Sequence, residues 1–519
     1  MAGAGRAPAP SRAAGPPMTA DRLQSLVILG GGTAGWMVVA ALARFAPHLD
    51  VTLVESEAIG TIGVGEATIP QIRLFNAGLG IDEGEFLRET RGSFKLGIEF
   101  AGWTRPGASY MHAFGTIGRP AGLLPFHHYW LRAREAGMAG ELARYSANEQ
   151  AARTLRGPAA PNAPGRAAMP YAYHFDAALY AALLRRFAEE RGVRRIDGTV
   201  ATVERNGESG DIAALVLASS ERVAGDFFID CSGFRGLLIE GTLAAGYDDW
   251  SEWLPCDRAV AVPCRSGGDF TPYTRATARP AGWQWRIPLQ HRIGNGYVYS
   301  SAHISDDEAA AELLGNLDGA PQGEPRVLRF ATGMRRRQWV GNCLAIGLAA
   351  GFLEPLESTS IHFAQSAISR FLSVLPAGRT DPAIADWFNA QARFEWSRVR
   401  DFLILHYWAN DRRGEPFWDE RRAVALPETL ADRLAQWRAA GHIHREHEEL
   451  FTTEGWFQVL AGQEVAARGY NPLADALSDE ELRAFLAASE AAAAEHTRGL
   501  PHHQQLLARL IARPPGAAA

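Results

Sequence analysis

The chain predicts an α/β fold: a nucleotide-binding domain with a mixed sheet, followed by a mainly helical C-terminal module. Three observations carry that expectation. A glycine-rich turn sits between an apolar strand and an apolar helix near residue 30, two further apolar strands run into glycine turns near residues 230 and 347, and from about residue 360 onward apolar positions recur with helical spacing. With 519 residues, 47% of them hydrophobic, the chain can bury a large core in about two or three structural units. The boundaries expected are a disordered tail over 1–24, a core over 25–395 and a helical substrate-binding module over 396–519.

The tail opens MAGAGRAPAPSRAAGPPMTA, rich in Ala, Pro and Gly without an apolar stretch, so a signal peptide is not expected, and Met18 is an alternative start. Order begins at SLVILGGGTAGWMVVAALARF. Leu26 to Leu29 read as a strand, Gly30, Gly32 and Gly35 supply G-x-G-x-x-G, and Trp36 to Phe45 read as a helix. Such a strand, turn and helix N-terminus cradle a pyrophosphate, because glycines let the backbone approach and the helix dipole favours negative charge. Thr33, Ala34 and Trp36 belong to the same turn. Twenty residues past Gly35, VTLVES places a second strand ending in Glu55, an acceptor for adenosine ribose hydroxyls.

The choice between NAD and FAD is made further along. GDFFIDCSGFRG (225–236) and WVGNCLAIGLAAGFLEPLESTSIHF (339–363) each run an apolar strand into a glycine turn, the second containing Gly347 and Leu348. Cofactor contacts recurring near 30, 230 and 347 indicate an FAD domain of the flavoprotein-monooxygenase kind, its sheet interrupted by insertions. Between them, 120–195 read as helical with an exposed Pro/Gly-rich loop at 157–170, and strands fill about 196–300, with a hairpin turn expected at Asn295 and Gly296. An Ala-rich helix is expected near 478–498.

Net charge is −6 with a pI near 6.2, and no stretch is strongly basic, which argues against nucleic-acid or anionic-membrane partners. No apolar run approaches the roughly 18 residues of a bilayer span. Cys231, Cys256, Cys264 and Cys343 are widely spaced, so neither a disulfide framework nor a metal site is expected, and the setting reads as a reduced cytoplasm. The one assembly expected is a homodimer.

Lys95, in GSFKLGIEF, is the only lysine among 52 Lys+Arg residues. Arginine evidently serves wherever a plain cation is wanted. The one retained amine, compact and tunable in pKa, therefore marks either a position a guanidinium cannot fill or a chance survivor in a surface ion pair.

Taken together, GGGTAGW at 30–36, GVGEATIP at 63–70, W-x-W-x-I-P as Trp283, Trp285, Ile287 and Pro288, and FLEPLEST at 352–359 resemble the flavin-dependent tryptophan halogenase family. The resemblance runs from about residue 25 to about 430. It implies that Gly65, Glu66 and Ala67 join the cofactor set, that Lys95 matches the family's catalytic lysine, and that Glu357 matches its catalytic glutamate. It further implies FADH2 supplied by a separate NAD(P)H-dependent flavin reductase, since no second dinucleotide fingerprint is visible, and hypohalous acid delivered to the lysine. Lysine can donate a hydrogen bond to that acid or become a haloamine, while Glu357 would polarise the acid or accept the arene proton, its charge also steadying the cationic intermediate; the plainer reading of Glu357 is an acid at a helix N-terminus. Halide would be held by backbone N–H groups near Thr359 and Ser360, a nest at a helix start, with Ser358 alongside. Familiar members carry glycine where this chain has Ser360, a departure that bears on halide geometry.

By strand alternation Trp283 and Trp285 share a face and would wall the flavin cavity, a role compatible with the plainer reading of core packing. His112 and Phe114 match the pair that sandwiches an indole ring, with ordinary core packing as the alternative. Between 415–422 and 457–463 the aromatic-rich insertion that grips free tryptophan in the family is missing, so an indole, a phenol or a larger decorated aromatic is expected instead. The function expected is FADH2- and O2-dependent chlorination or bromination of an electron-rich, indole-like aromatic. The rivals are an FAD-dependent monooxygenase that uses no halide and a flavin-binding protein with degenerate catalysis.

Overall fold

The computed structural model describes residues 22–56, 65–158, 169–267, 269–378 and 380–512. The expected tail up to residue 21 and most of the expected loop at 157–170 lie outside the described residues.

The first unit is β1 (Ser25–Leu29), α1 (Thr33–Phe45) and β2 (Asp50–Glu55). β1 lies inside a six-stranded sheet, parallel to β2 on one side and to Phe227–Asp230 on the other. Cys343–Ala345 and Arg194–Asp197 extend the sheet in parallel, and the hairpin strand Trp339–Val340 closes one edge antiparallel. Leu26 and Ile28 are fully buried, as an apolar run covered on both faces must be. Register then brings Leu29, Val54, Asp230 and Ala345 level, so the three glycine turns read from the sequence leave the sheet at one carboxyl edge. The buried Asp230 ends its strand by accepting from the Ser232, Leu238 and Ile239 N–H groups at 2.8–2.9 Å, which fixes the second turn.

Beside it stands a seven-stranded sheet in the order Arg326–Arg329, Arg258–Ala261, Ile293–Tyr299, Gly282–Pro288, Thr274–Arg279, Gly97–Ala101 and Ser109–Ala113, antiparallel except where Thr274–Arg279 meets Gly97–Ala101. Against it packs a small antiparallel sheet in which Ala172–Asp176 pairs with Gly65–Ala67 on one edge and Ser93–Lys95 on the other. The cofactor motif and the lone lysine are therefore one strand apart.

Two local expectations are corrected. Asn295 and Gly296 are not a turn but lie within the strand Ile293–Tyr299, and the chain reverses earlier, where Leu289 N–H donates to the Arg292 carbonyl. Glycine is at 296 for a packing reason: a Cβ there would stand 2.1 Å from the Trp285 ring of the neighbouring strand. Residues 120–195 are not helical throughout, because the strand Ala172–Asp176 separates Phe126–Glu135 and Ala147–Arg153 from Ala177–Glu189.

From Ser360 the chain is helical, led by Ser360–Ser373 and the 27-residue Pro382–Trp408. The expected Ala-rich helix is Asp479–Thr497, started by a capping box of Ser478 and Glu481. No described helix is long and apolar enough to cross a membrane.

Candidate active site

At the carboxyl edge of the six-stranded sheet the three turns touch. Gly30 has φ +114°, and a Cβ there would lie 2.2 Å from the Cys231 carbonyl oxygen. Gly347 has φ +70° and its Cβ position is 2.7 Å from the Ala34 Cβ. Gly35 closes on Gly30, with 1.9 Å from its Cβ position to the Gly30 oxygen. Each contact leaves room for glycine alone. Above Gly31 hangs Glu55, whose Oε1 accepts from Arg195 Nε and whose Oε2 occupies the place of a Gly31 Cβ.

Gly32 differs, since nothing lies within 4 Å of its Cβ position. It is the N-cap of α1, with no side-chain cap and no acidic residue in the first turn, so no side chain of the cap or first turn competes for the N–H groups at the positive end of the helix. This donor set fits a pyrophosphate, with Glu55 toward a ribose. Trp36 is buried in the core behind the turn, and Leu348 is half-buried in the 3-10 turn Gly347–Ala349. Gly65 packs on Ile287 and Leu289, so Gly65–Ala67 lies against the W-x-W-x-I-P strand. Glu66 keeps some exposure, yet burial pushes its carboxyl up to about 7. A Gly30→Ala substitution forces an L-residue into positive φ against a carbonyl. It is expected to weaken FAD binding by about 3 kcal/mol, or about a hundredfold, in a flavin-fluorescence titration.

The lone lysine is fully buried at the end of its strand, and Nζ donates to Ser358 Oγ at 2.7 Å over the Phe114 ring, 5.4 Å from its centroid. Burial lowers its ammonium to about 7 against the opposing pull of Glu357. Glu357 is also buried. It accepts from His112 Nδ1 at 2.9 and 3.0 Å and from His406 Nε2 at 2.8 Å. Burial alone would raise its pKa, but His112 and then the hydrogen bond from His406 outweigh that and hold it at about 2. The structure thus brings Lys95, His112, Phe114, Glu357 and Ser358 together. His112 touches the carboxylate and Phe114 lies under the amine, so the pair expected to hold a ring brackets Glu357 and Lys95.

Ser358 sits in the left-handed region at φ +60°, which reverses the chain between Glu357 and the helix Ser360–Ser373. Thr359 is the N-cap of that helix. Its hydroxyl is buried with no partner among the described residues, and Ser360 opens the first turn. An orphaned O–H beside a 14-residue helix start suits a small anion.

Trp283 and Trp285 share a face with ring centroids 6.2 Å apart, as alternation requires. Trp283 also donates Nε1–H at 2.9 Å to Glu354, a fully buried carboxyl that Tyr407 contacts too. Burial raises Glu354 to about 7, although both donors pull it down.

Sequence reasoning missed Glu354, Tyr407, His406 and Tyr110. Tyr110 hydroxyl is 2.8 Å from His406 Nδ1, and burial pushes its pKa well above the usual value, so it donates. His406, driven down by burial, then carries its proton on Nε2 and gives it to Glu357. No motif flags this chain, because His406 enters from the helix Pro382–Trp408, 49 residues from Glu357. The wall beside His112 is aromatic: Phe402 stacks on Phe451 at 3.8 Å and meets Trp456 edge-on. Two carboxylates of the loop bearing Phe451 are held by arginines of the flanking helices, Glu449 by Arg433 at 2.7 and 2.8 Å and Glu446 by Arg398.

Comparison with known proteins agrees over nearly the whole chain. The family model described as tryptophan halogenase matches residues 25–479. Tryptophan 6-halogenase SttH of Streptomyces toxytricini is 36% identical over 443 residues, covering 80% of this chain and 83% of that protein. Among solved structures, Xcc4156, a flavin-dependent halogenase from Xanthomonas campestris, is 45% identical with a TM-score of 0.92, covering 95% of this chain and 99% of that one. BrvH, a flavin-dependent halogenase from Brevundimonas sp. BAL3, is 44% identical with a TM-score of 0.90, covering 94% and 99%.

Proposed function

Because the chain belongs to the tryptophan halogenase family, and is thus a flavin-dependent halogenase of an aromatic substrate, we propose that it uses FADH2, oxygen and chloride or bromide to halogenate an indole-like arene at Lys95. The observation that carries this reading is the juxtaposition of a buried amine at about 7 with a buried carboxylate at about 2, across Ser358 from an anion-suited helix start. Gly30, Gly32, Thr33, Ala34, Gly35, Glu55 and the turn at Gly347 and Leu348 would hold the FAD, with Gly65–Ala67 alongside. Bound reduced flavin supplies, with oxygen and halide, the hypohalous acid. A separate NAD(P)H-dependent reductase supplies the reduced flavin, which fits a cytoplasmic setting.

At the far end the residues divide the proton work. The Lys95 ammonium donates to the hydroxyl oxygen of the hypohalous acid as the oxygen–halogen bond breaks, releasing water, while the arene carbon forms its bond to halogen. Glu357, an anion at working pH and steadied by two imidazoles, faces the cationic ring and takes the proton that the carbon loses; the carboxyl, held at about 2, then releases that proton while the amine takes one up, which restores both groups. Thr359 and Ser360 would hold halide. We assign arene binding to His112, Phe114 and the aromatic wall contributed by residues 396–519. With Glu449 and Glu446 beside it already paired to Arg433 and Arg398, that wall favours a bare ring over a zwitterionic amino acid.

The test supplies an FAD reductase, NADH, oxygen and bromide, and compares indole with free tryptophan by mass spectrometry. Brominated indole, with tryptophan turned over at least about tenfold more slowly, is the expected result. Hydroxylated arene formed equally well without halide would instead establish the monooxygenase reading.

A further inference from the structure

The lysine strand Ser93–Lys95 is an edge strand. One side pairs with Ala172–Asp176 in the register Ser93 to His174, Phe94 to Tyr173 and Lys95 to Ala172. On the other side, where a further strand would stand, the Phe94 N–H donates at 3.2 Å to His503 Nε2, and the Leu96 N–H donates at 2.8 Å to the Pro272 carbonyl. His503 arrives from the C-terminal helix His503–Ile511, 409 residues away in the chain.

Its imidazole is completely buried and both nitrogens are committed. Since Nε2 accepts from a backbone amide, the proton is on Nδ1, which donates to the Phe270 carbonyl at 3.0 Å. Burial lowers its pKa to about 4, so the neutral form persists at working pH. The ring stacks on Phe270 at 4.7 Å and meets Phe94 edge-on at 6.0 Å. The segment carrying it is fastened along its length: Arg156 donates to the Leu500 carbonyl at 2.7 Å, Gly157 N–H to Pro501, His503 N–H to Leu155, and Arg88 to Ile511.

We propose that His503 is a positioning residue for Lys95, its imidazole standing in for the missing neighbour strand so that the C-terminal helix fixes where the amine meets Ser358 and how dry it stays. The proposal rests on Lys95 being the residue that handles the hypohalous acid. Leucine at 503 fills the space but pairs nothing, whereas glutamine restores one donor and one acceptor. His503→Leu is expected to lower kcat for indole bromination at least about tenfold, with KM and FAD affinity little changed, and His503→Gln to recover most of it. Because the chain has one lysine, labelling with lysine enriched in 13C at Cε gives a single resonance whose titration reads Lys95 directly. That titration is expected near 7 in the wild type and in His503→Gln. In His503→Leu it should rise by at least about one unit, as water reaches the amine.

A leucine variant with unchanged titration and turnover overturns the proposal, and so does a glutamine variant as impaired as leucine. Should the leucine variant not fold, hydrogen exchange in the wild-type protein decides: Phe94 is expected to be protected as strongly as Ser93 and Lys95, and rapid exchange at Phe94 overturns the proposal. The titration and exchange need no substrate, so a wild-type enzyme that fails to brominate indole would count against the halogenase reading alone.

Discussion

Lys95→Arg is expected to lower bromination of indole about a thousandfold, equivalent to about 4 kcal/mol of transition-state stabilisation, while leaving FAD binding unchanged. The argument turns on proton loss. Lysine at about 7 stands near the pH at which the enzyme works, where a general acid combines availability with driving force. A guanidinium keeps its proton throughout that range and needs a flat, wider site than the Ser358 hydroxyl and Phe114 ring leave in a fully buried strand end. Mass-spectrometric product yield under reductase supply measures the loss, with flavin fluorescence as the binding control. Arginine supporting more than about a tenth of wild-type turnover would mean that a fixed positive charge suffices, and the proton-donor role would fall. Ordinary turnover should also decline as pH rises through about 7, because the ammonium is the form that donates.

Much of this arrangement was legible because the chemistry is local. The turn at 30–35 needs glycine wherever a Cβ would strike a backbone carbonyl, and such demands leave their mark in consecutive residues. Glu357, Ser358 and Thr359 come instead from the resemblance carried by FLEPLEST, and they share one chain reversal. What stayed hidden is held by pairings distant in sequence. His406 and Tyr110 are 296 residues apart, and nothing in the spacing of either announces a partner. Asn295–Gly296 misled for the opposite reason: a dipeptide that favours hairpin turns was kept there to make room for the Trp285 ring, so packing across the sheet overrode turn propensity. Alternation puts Trp283 and Trp285 on one face, but the indole N–H bond of Trp283 to Glu354 appears only once the strand and the motif are folded together.

Glu357→Gln separates the charge of the carboxylate from its shape. Glutamine keeps the side-chain length and can still accept from one imidazole, but it cannot take a proton from the ring or oppose a developing cation. A loss of about a hundred- to a thousandfold in kcat is expected, with KM for the arene little altered. The same substitution has a second, directional consequence at Lys95. Glu357 is the charge that raises the lysine pKa against its burial, so removing that charge leaves desolvation unopposed and the ammonium easier to deprotonate. The basic limb of the residual activity should therefore move to lower pH than in the wild type, by at least about one unit if the two groups interact through the dry interior. The acid limb should show no wild-type contribution from Glu357 at ordinary working pH, because a carboxyl held at about 2 stays ionised there. A basic limb that stays in place, or moves upward, would show that amine and carboxylate are not electrostatically coupled, and the division of proton labour between them would have to be abandoned.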